Sequence, residues 1–273
     1  MRGAYTDAAL RLALAEPAVN ALAGARLGEL ASSPHLGREF AVSGPDDAPD
    51  GVLWRGVNTG PISASPVALD RFGQWLAQNP GGTSSVVGDR RAVERMWTVM
   101  APTWEHRVRE YRWSQPLLTA SDEVRASGQS VGLRPARPDE EAAVYPAAVA
   151  MFHEEVGSDP TAADGGRSYR ARVAQLLRGG RTYVVTDADG AVVFKADVGA
   201  MFGPVAQIHG VWTRPSMRGR GIASRAMAEL VPLVRADHAP EVSLYVNDFN
   251  EPARRAYAAA GFRQARELTT ILL

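Results

Sequence analysis

Arg218-Gly219-Arg220-Gly221-Ile222-Ala223 is the stretch on which the fold turns. A strand-like run, 206–213 (AQIHGVWT), precedes it, and a helical stripe follows in which Ile222, Ala226, Leu230 and Val234 recur at helical spacing. Glycines in a strand-to-helix turn let the backbone bend tightly and leave no Cβ between it and a ligand. The helix adds its unpaired N–H groups and the positive end of its dipole. Such a turn suits a diphosphate, with Arg218 and Arg220 as sources of extra charge. A plain surface turn is the bland alternative. An arginine-rich RNA-binding segment is another, but those are long and repetitive, whereas this one is embedded between ordered elements. The spacing matches neither a Walker loop nor the full dinucleotide fingerprint.

A second motif follows: Asn250-Glu251-Pro252-Ala253-Arg254-Arg255-Ala256-Tyr257, then Gly261-Phe262. Asn250, Ala253 and Tyr257 fall on one helix face. That face offers an amide, a small contact surface and a phenol to one ligand. Taken alone, a capping asparagine and a half-buried tyrosine would be the plainer reading.

In order and context the two motifs resemble the GNAT superfamily of acyl-CoA-dependent N-acetyltransferases. That pattern is Arg/Gln-x-x-Gly-x-Gly/Ala after a strand, then Asn-x-x-Ala-x-x-x-Tyr with Gly-Phe four residues later. The resemblance covers residues 131–273. It implies a V-shaped opening in the sheet, where a pantetheine arm pairs with the backbone of 208–213, Val211 and Thr213 being the partners and Trp212 lying between them. It places the pyrophosphate over Arg218, Gly219, Arg220, Gly221, Ala223 and Ser224. It sets Asn250 and Ala253 beside the pantetheine, and Tyr257 near the thioester sulfur as the acid that protonates the leaving thiolate. The implied activity is transfer of an acetyl or other acyl group from acetyl-CoA, or another acyl-CoA, to a small-molecule or protein amine, without a metal. A non-catalytic acyl-CoA sensor or interaction module is the alternative. Many relatives carry a glutamate base on the strand that ends here at Thr213, where this chain has Gln207 and His209. Asp197, Glu154, Glu155 and Asp248 are further candidates for the base.

The rest of the C-terminal region reads as a strand at 131–134, a helix from 138 kinked or split at Pro146, a helix at 168–178, and a hairpin of 182–186 with 191–198 around an Asp-Gly turn. After the 206–213 strand and the long helix, which Pro232 bends or shortens, come a strand at 242–246, the Asn250-capped helix and a last strand at 267–272. The fold class expected is α/β (α+β), with a mixed sheet flanked by helices. Residues 1–120 show a similar rhythm: helices within 7–30, 67–77 and 90–100, and strands near 40–42, 52–57, 62–64, 84–87 and 108–118. Residues 84–89 compare with 243–248, each before a helix, with Trp97 and Tyr257 at comparable offsets. This suggests a diverged GNAT-like repeat that has lost the Arg/Gly loop, or chance likeness between two α/β segments. Leu14-Ala15-Glu16-Pro17-Ala18-Val19-Asn20 and the general layout resemble an uncharacterised domain that precedes a GNAT domain in some bacterial proteins. The polar run 121–130 reads as a linker, giving two domains, 1–128 and 131–273.

The 273 residues are 45% hydrophobic and 22% charged, enough for a real core. Zero net charge supplies no broad attraction to nucleic acid or an anionic membrane. No stretch approaches the ~20 apolar residues of a membrane span. Zero cysteines exclude disulfides and thiolate chemistry. A cytoplasmic location is expected, and a homodimer is left open. Lys195 is the sole lysine.

Overall fold

The computed structural model describes residues 2–45, 47–122 and 129–273. Helices α1 (Arg2–Leu14), α2 (Ala21–Leu30) and α3 (Leu36–Glu39) precede strands β1 (Phe40–Ser43), β2 (Gly51–Arg55) and β3 (Asn58–Ile62). Then come α4 (Pro66–Gln78), β4 (Ser85–Asp89), α5 (Arg90–Trp104) and β5 (Glu110–Ala120). After the two-residue β6 (Arg134–Pro135) the series recurs: α6 (Glu141–Val156), α7 (Arg167–Arg178), β7 (Thr182–Thr186), β8 (Val192–Phe202), β9 (Val205–Thr213), α8 (Ile222–Asp237), β10 (Glu241–Tyr245), α9 (Glu251–Ala259) and β11 (Phe262–Leu272). The fold is mixed α/β, and the N-terminal unit repeats the element order of the C-terminal one.

The eleven strands among the described residues form one sheet, in the order β1-β2-β3-β4-β11-β5-β10-β9-β8-β7-β6. β3–β4 and β9–β10 are parallel, and the other pairs are antiparallel. With β6 set aside, the order is palindromic about the β11–β5 join, and the last strand of each unit has crossed to the other. β11 pairs with β4, and β5 pairs with β10. The two crossed strands pair with each other from Phe262↔Ala120 to Leu272↔Glu110. The exchange leaves neither unit an open edge at the join. The connection from β5 to β6 carries the expected linker, and its residues 123–128 lie outside the described residues.

Alternation along each strand sends side chains to two cores. On one face Leu69, Phe72, Met96 and Trp104 of α4 and α5 pack on Leu53 and Val86, and Leu230, Val234 and Tyr257 of α8 and α9 pack on Phe194, Ile208 and Leu244. On the other, Leu27 of α2 lies with Val52 and Ile62, and Val144 and Leu177 of α6 and α7 lie with Val184 and Trp212. Residue Gly24 lets α2 press on Phe202 of β8, because a Cβ there would come within 2.5 Å of the ring. No helix among the described residues is long and apolar enough to cross a membrane.

Several expectations need correction. Pro146 does not split its helix and Pro232 does not shorten its own: each lies inside one continuous helix. Each removes one N–H bond, but buried neighbours on the same helices (Val144, Ala147 and Ala148; Leu230, Val231 and Val234) hold them against the sheet. The strand at 131–134 shrinks to Arg134–Pro135, because the N–H groups of Val131 and Leu133 donate to the Glu229 carboxylate, at 2.7 and 2.9 Å. The strand placed at 62–64 is Asn58–Ile62, which ends before Ser63 at φ 43°.

Candidate active site

The site begins where two parallel strands part. β9 and β10 stay paired from Glu241↔Val205 to Leu244↔Ile208. Past Ile208, β9 keeps β8 but no longer β10. The cause is a bulge: between His209, opposite Asp197, and Trp212, opposite Lys195, β9 carries one more residue than β8. Gly210 in the bulge has φ 58°, and a Cβ there would lie 3.0 Å from Asp197 Oδ2 and 3.1 Å from Met151 Cε. A buried ion pair holds the bulge. Lys195 Nζ donates to Asp197 Oδ2 at 2.6 Å and to the Gly210 carbonyl at 3.0 Å, while Thr182 Oγ1 donates to Asp197 Oδ1 at 2.8 Å. The chain after β10 follows the exchanged strand instead: the N–H groups of Val246 and Asp248 donate to the Pro116 and Ser114 carbonyls of β5, at 3.2 and 3.1 Å. The result is a V between β9 and β10.

Of the three strand residues expected there, two face the opening. The Arg214 N–H donates to Val193 of β8 at 2.8 Å, so alternation turns the backbone of Val211 and Thr213 toward the open edge. Trp212 turns its backbone to β8 and its indole into the core, where Nε1 donates to Glu154 Oε1 at 3.1 Å.

Below the V lies the Arg/Gly turn. Gly219 and Gly221 have φ 73° and 69°, a region that L side chains rarely adopt. A Cβ on Gly219 would meet nothing within 4 Å, so that side of the turn is open. No side chain caps α8. Its first three N–H groups, on Ile222, Ala223 and Ser224, have no intrahelical acceptor, and the helical ladder starts with Arg225 N–H on the Gly221 carbonyl at 3.3 Å. Ser224 Oγ donates to the Gly221 carbonyl at 3.0 Å. Arg218 points away from the turn: Nε donates to the Thr213 carbonyl at 2.9 Å and Nη2 to Glu154 Oε2 at 2.6 Å. Arg220 makes no side-chain hydrogen bond among the described residues, so it is the arginine available for an anion.

Asn250 caps α9, its Oδ1 accepting from the Ala253 N–H at 3.2 Å. Tyr257 is 7% exposed, with its ring 6.1 Å from Phe262. Its hydroxyl has no hydrogen-bond partner among the described residues. Burial pushes the phenol pKa up, and the charge of Glu155 adds to the rise. It is therefore protonated at neutral pH.

The candidate bases separate clearly. Burial pushes His209 down to about 4, which makes it a poor proton acceptor at neutral pH. Its Nε2 lies 3.0 Å from Gln207 Oε1, and Gln207 Nε2 donates to the Ala18 carbonyl between α1 and α2 at 3.0 Å. Asp197 is committed to Lys195 and Thr182, and Glu154 to Trp212 and Arg218. Asp248 is exposed. Glu155 keeps one carboxylate oxygen without a partner among the described residues. Sequence reasoning missed Arg112, Gln115 and Asn247 beside it. Nothing local in 112–115 marks those residues as part of a site 40 residues away from Glu155; the strand exchange brings them there. No group of three or more His, Cys, Asp and Glu among the described residues could hold a metal ion.

This arrangement defines a class. Residues 149–262 match the Acetyltransferase (GNAT) family, and the C-terminal unit belongs to it. Residues 39–144 match a domain of unknown function (DUF4081). Among solved structures, a GCN5-related N-acetyltransferase from Sphaerobacter thermophilus is similar, with 19% identity, TM-score 0.64, and coverage of 98% of this chain and 92% of that one. A GCN5-related N-acetyltransferase from Kribbella flavida aligns with 16% identity and TM-score 0.53 over 91% of this chain and 94% of that one. A GNAT-family acetyltransferase from Colwellia psychrerythraea aligns with 10% identity and TM-score 0.58 over 86% and 85%. Each of these likenesses of fold extends over both units. A comparison with curated proteins returns no match.

Proposed function

We propose that the protein is an acyl-CoA-dependent N-acyltransferase, moving an acetyl or related acyl group to a primary amine by direct attack on the thioester. The observation that carries this reading is the V between β9 and β10, with the Val211 backbone and the Thr213 N–H turned to the opening, an uncapped helix start at one end and an unpartnered phenol inside. The Val211 backbone and the Thr213 N–H pair with the polar groups of the pantetheine arm. The diphosphate rests on the N–H groups from Gly219 to Ser224, where two positive-φ glycines and the small Ala223 leave room and Arg220 adds charge. Asn250, whose Nδ2 is left over from capping, and Ala253 line the arm beside Tyr257.

The acceptor must lose a proton before its nitrogen has a lone pair to attack with. As the C–N bond forms, the carbonyl oxygen takes up negative charge, and the Val211 N–H is placed to stabilise it. When the C–S bond breaks, the Tyr257 hydroxyl donates its proton to sulfur, and the nitrogen returns a proton as it becomes an amide. The phenol's raised pKa keeps that proton in place until the thiolate forms.

The test is release of free thiol from acetyl-CoA against a panel of small and peptide amines. Thiol release that tracks amine acylation supports the proposal. Tight acetyl-CoA binding with no turnover on any amine would favour the acyl-CoA sensor instead. Tyr257→Phe should lower kcat by roughly 100-fold or more and change the acetyl-CoA Kd by less than about twofold. An unchanged kcat removes Tyr257 from the reaction.

A further inference from the structure

We propose that Glu155 accepts the acceptor amine's ammonium proton, and that the N-terminal unit's exchanged strand holds it there through Arg112 and Gln115. This rests on the acyltransferase reading and assigns to that reaction a base and a role for the other unit.

Glu155 lies in the last turn of α6. Its Oε1 accepts from Arg112 Nη1 at 3.1 Å and from Asn247 Nδ2 at 3.2 Å, and its Oε2 has no partner among the described residues. Arg112, on β5, is 9% exposed. It donates through Nε and Nη2 to Glu110, at 2.9 and 3.0 Å, and through Nη2 to the Glu155 carbonyl at 2.6 Å. Asn247 is fixed from behind. Thr270 Oγ1 of β11 donates to Gln115 Oε1 at 2.6 Å, and Gln115 Nε2 donates to Asn247 Oδ1 at 2.7 Å. With that direction set, Asn247 has only its NH2 to offer Glu155. Gln115 and Asn247 are buried. The relay runs from β11 through β5 to the loop after β10, so it exists only because the last strands are exchanged.

The Glu155 side chain is 50% exposed, so an amine can reach it. The charged and titratable groups that face it are Arg112 and Glu110 from β5, Tyr245 from β10 and Tyr257 from α9. Two carboxylates against one guanidinium leave a single negative charge, which favours a protonated amine over an anionic acceptor. Burial holds the Glu155 carboxyl above the usual carboxylate range although Arg112 opposes the rise, and this makes it a better base. Burial raises both phenols, Tyr245 to about 12, and the charge of Glu155 adds to the rise. Its helix packs on one face of the sheet and that of Tyr257 on the other. A proton acceptor and a proton donor thus flank the V from its two sides.

The protons balance. R–NH3+ gives one to Glu155, the neutral nitrogen bonds to the thioester carbon, and sulfur leaves with the proton of Tyr257. The nitrogen's second proton restores the phenol, and Glu155 releases its own to solvent. The products are the amide, free CoA thiol and H+.

The test measures kcat/KM for an accepted amine against pH in wild type, Glu155→Gln and Gln115→Leu, with acetyl-CoA Kd and Tm alongside. Glu155→Gln keeps the contacts of Oε1 and should lower kcat/KM about 100-fold at neutral pH. It should also abolish the Glu155 step in the acid limb while leaving Kd unchanged. Gln115→Leu, a positioning variant, should lower kcat/KM about tenfold and displace that step, which a loss of stability alone would not do. If wild type turns over and Glu155→Gln keeps both rate and profile, the assignment of Glu155 is overturned while the acyltransferase reading stands. If wild type acylates no amine, both fall.

Discussion

Past Ile208, strand β9 leaves β10 and a cleft opens, whereas in the N-terminal unit the equivalent β3 stays against β4. There the paired register is only Asn58↔Ser85 and Thr59↔Val86, but the two chains stay in contact beyond it: a Cβ on Gly60 would collide with the Val87 carbonyl, and one on Gly88 would lie 3.4 Å from Pro61 Cδ. The helix starts differ in the same sense. That of α8 follows two positive-φ glycines and is uncapped. That of α4 is closed: Ser65 Oγ accepts from the Ala68 N–H at 3.1 Å, and Pro66 has no N–H to offer. Ser65 Oγ also donates to Asp50 Oδ2 at 2.6 Å, which puts a carboxylate where a diphosphate would need to sit. Asp89 caps α5 as Asn250 caps α9, but seven residues on from the cap stands the buried Met96, where the C-terminal unit has Tyr257. The match of Trp97 to Tyr257 made from sequence is therefore one residue out. One scaffold leaves a helix start open when its backbone N–H groups are unpaired, and closes it when its own side chains satisfy them.

The largest effect expected from probing this contrast is on stability. Lys195→Met leaves Asp197 buried without its cation, at a cost of about 3–5 kcal/mol by chemical denaturation. A loss below about 1 kcal/mol would mean that the bulge does not depend on the ion pair. Next, Ser224→Asp puts a carboxylate at the start of α8, as Asp50 does beside the cap of α4. Acetyl-CoA should bind about 10- to 100-fold more weakly by calorimetry, with Tm unchanged or slightly raised, since an acid in a first helical turn is itself worth ~0.3–1 kcal/mol. Unchanged affinity would separate the diphosphate from that turn.

Smaller effects concern parts that distinguish the units without binding anything. β6 has no N-terminal counterpart, and Arg134 in it holds Glu140, whose pKa is lowered to about 2 by that guanidinium. A depressed carboxylate stabilises the fold above its unfolded pKa, and the contribution disappears as pH falls from about 4.5 toward about 2. Glu140→Gln should therefore cost roughly 1–2 kcal/mol at pH 7, discounted for the part-exposed arginine, and should flatten the fall in Tm through that acid window. Ser65→Ala should cost about 1 kcal/mol by removing a cap. It should create no second acetyl-CoA site, because Pro66 and Asp50 remain.

The order of elements in the C-terminal unit was legible because stripes such as Ile222–Ala226–Leu230–Val234 and the Asp-Gly turn at 189–190 are local signals. The turn at 218–223 and the Asn250 cap were legible for the same reason. The pairing of the last strands was not: β5 and β11 can each serve either unit, and only tertiary packing selects the crossed partners. The setting of Glu155 was hidden with it, since Arg112 and Gln115 reach the site solely through that crossing. Arg218 was read as an open charge, but Thr213 and Glu154 take up its donors, a contact no spacing rule reveals.

Amide hydrogen exchange with and without acetyl-CoA tests the one-site account most directly. Slowed exchange across 211–224, with no change across 58–68, is the predicted result. Slowing at the start of α4, or none at the start of α8, would contradict it.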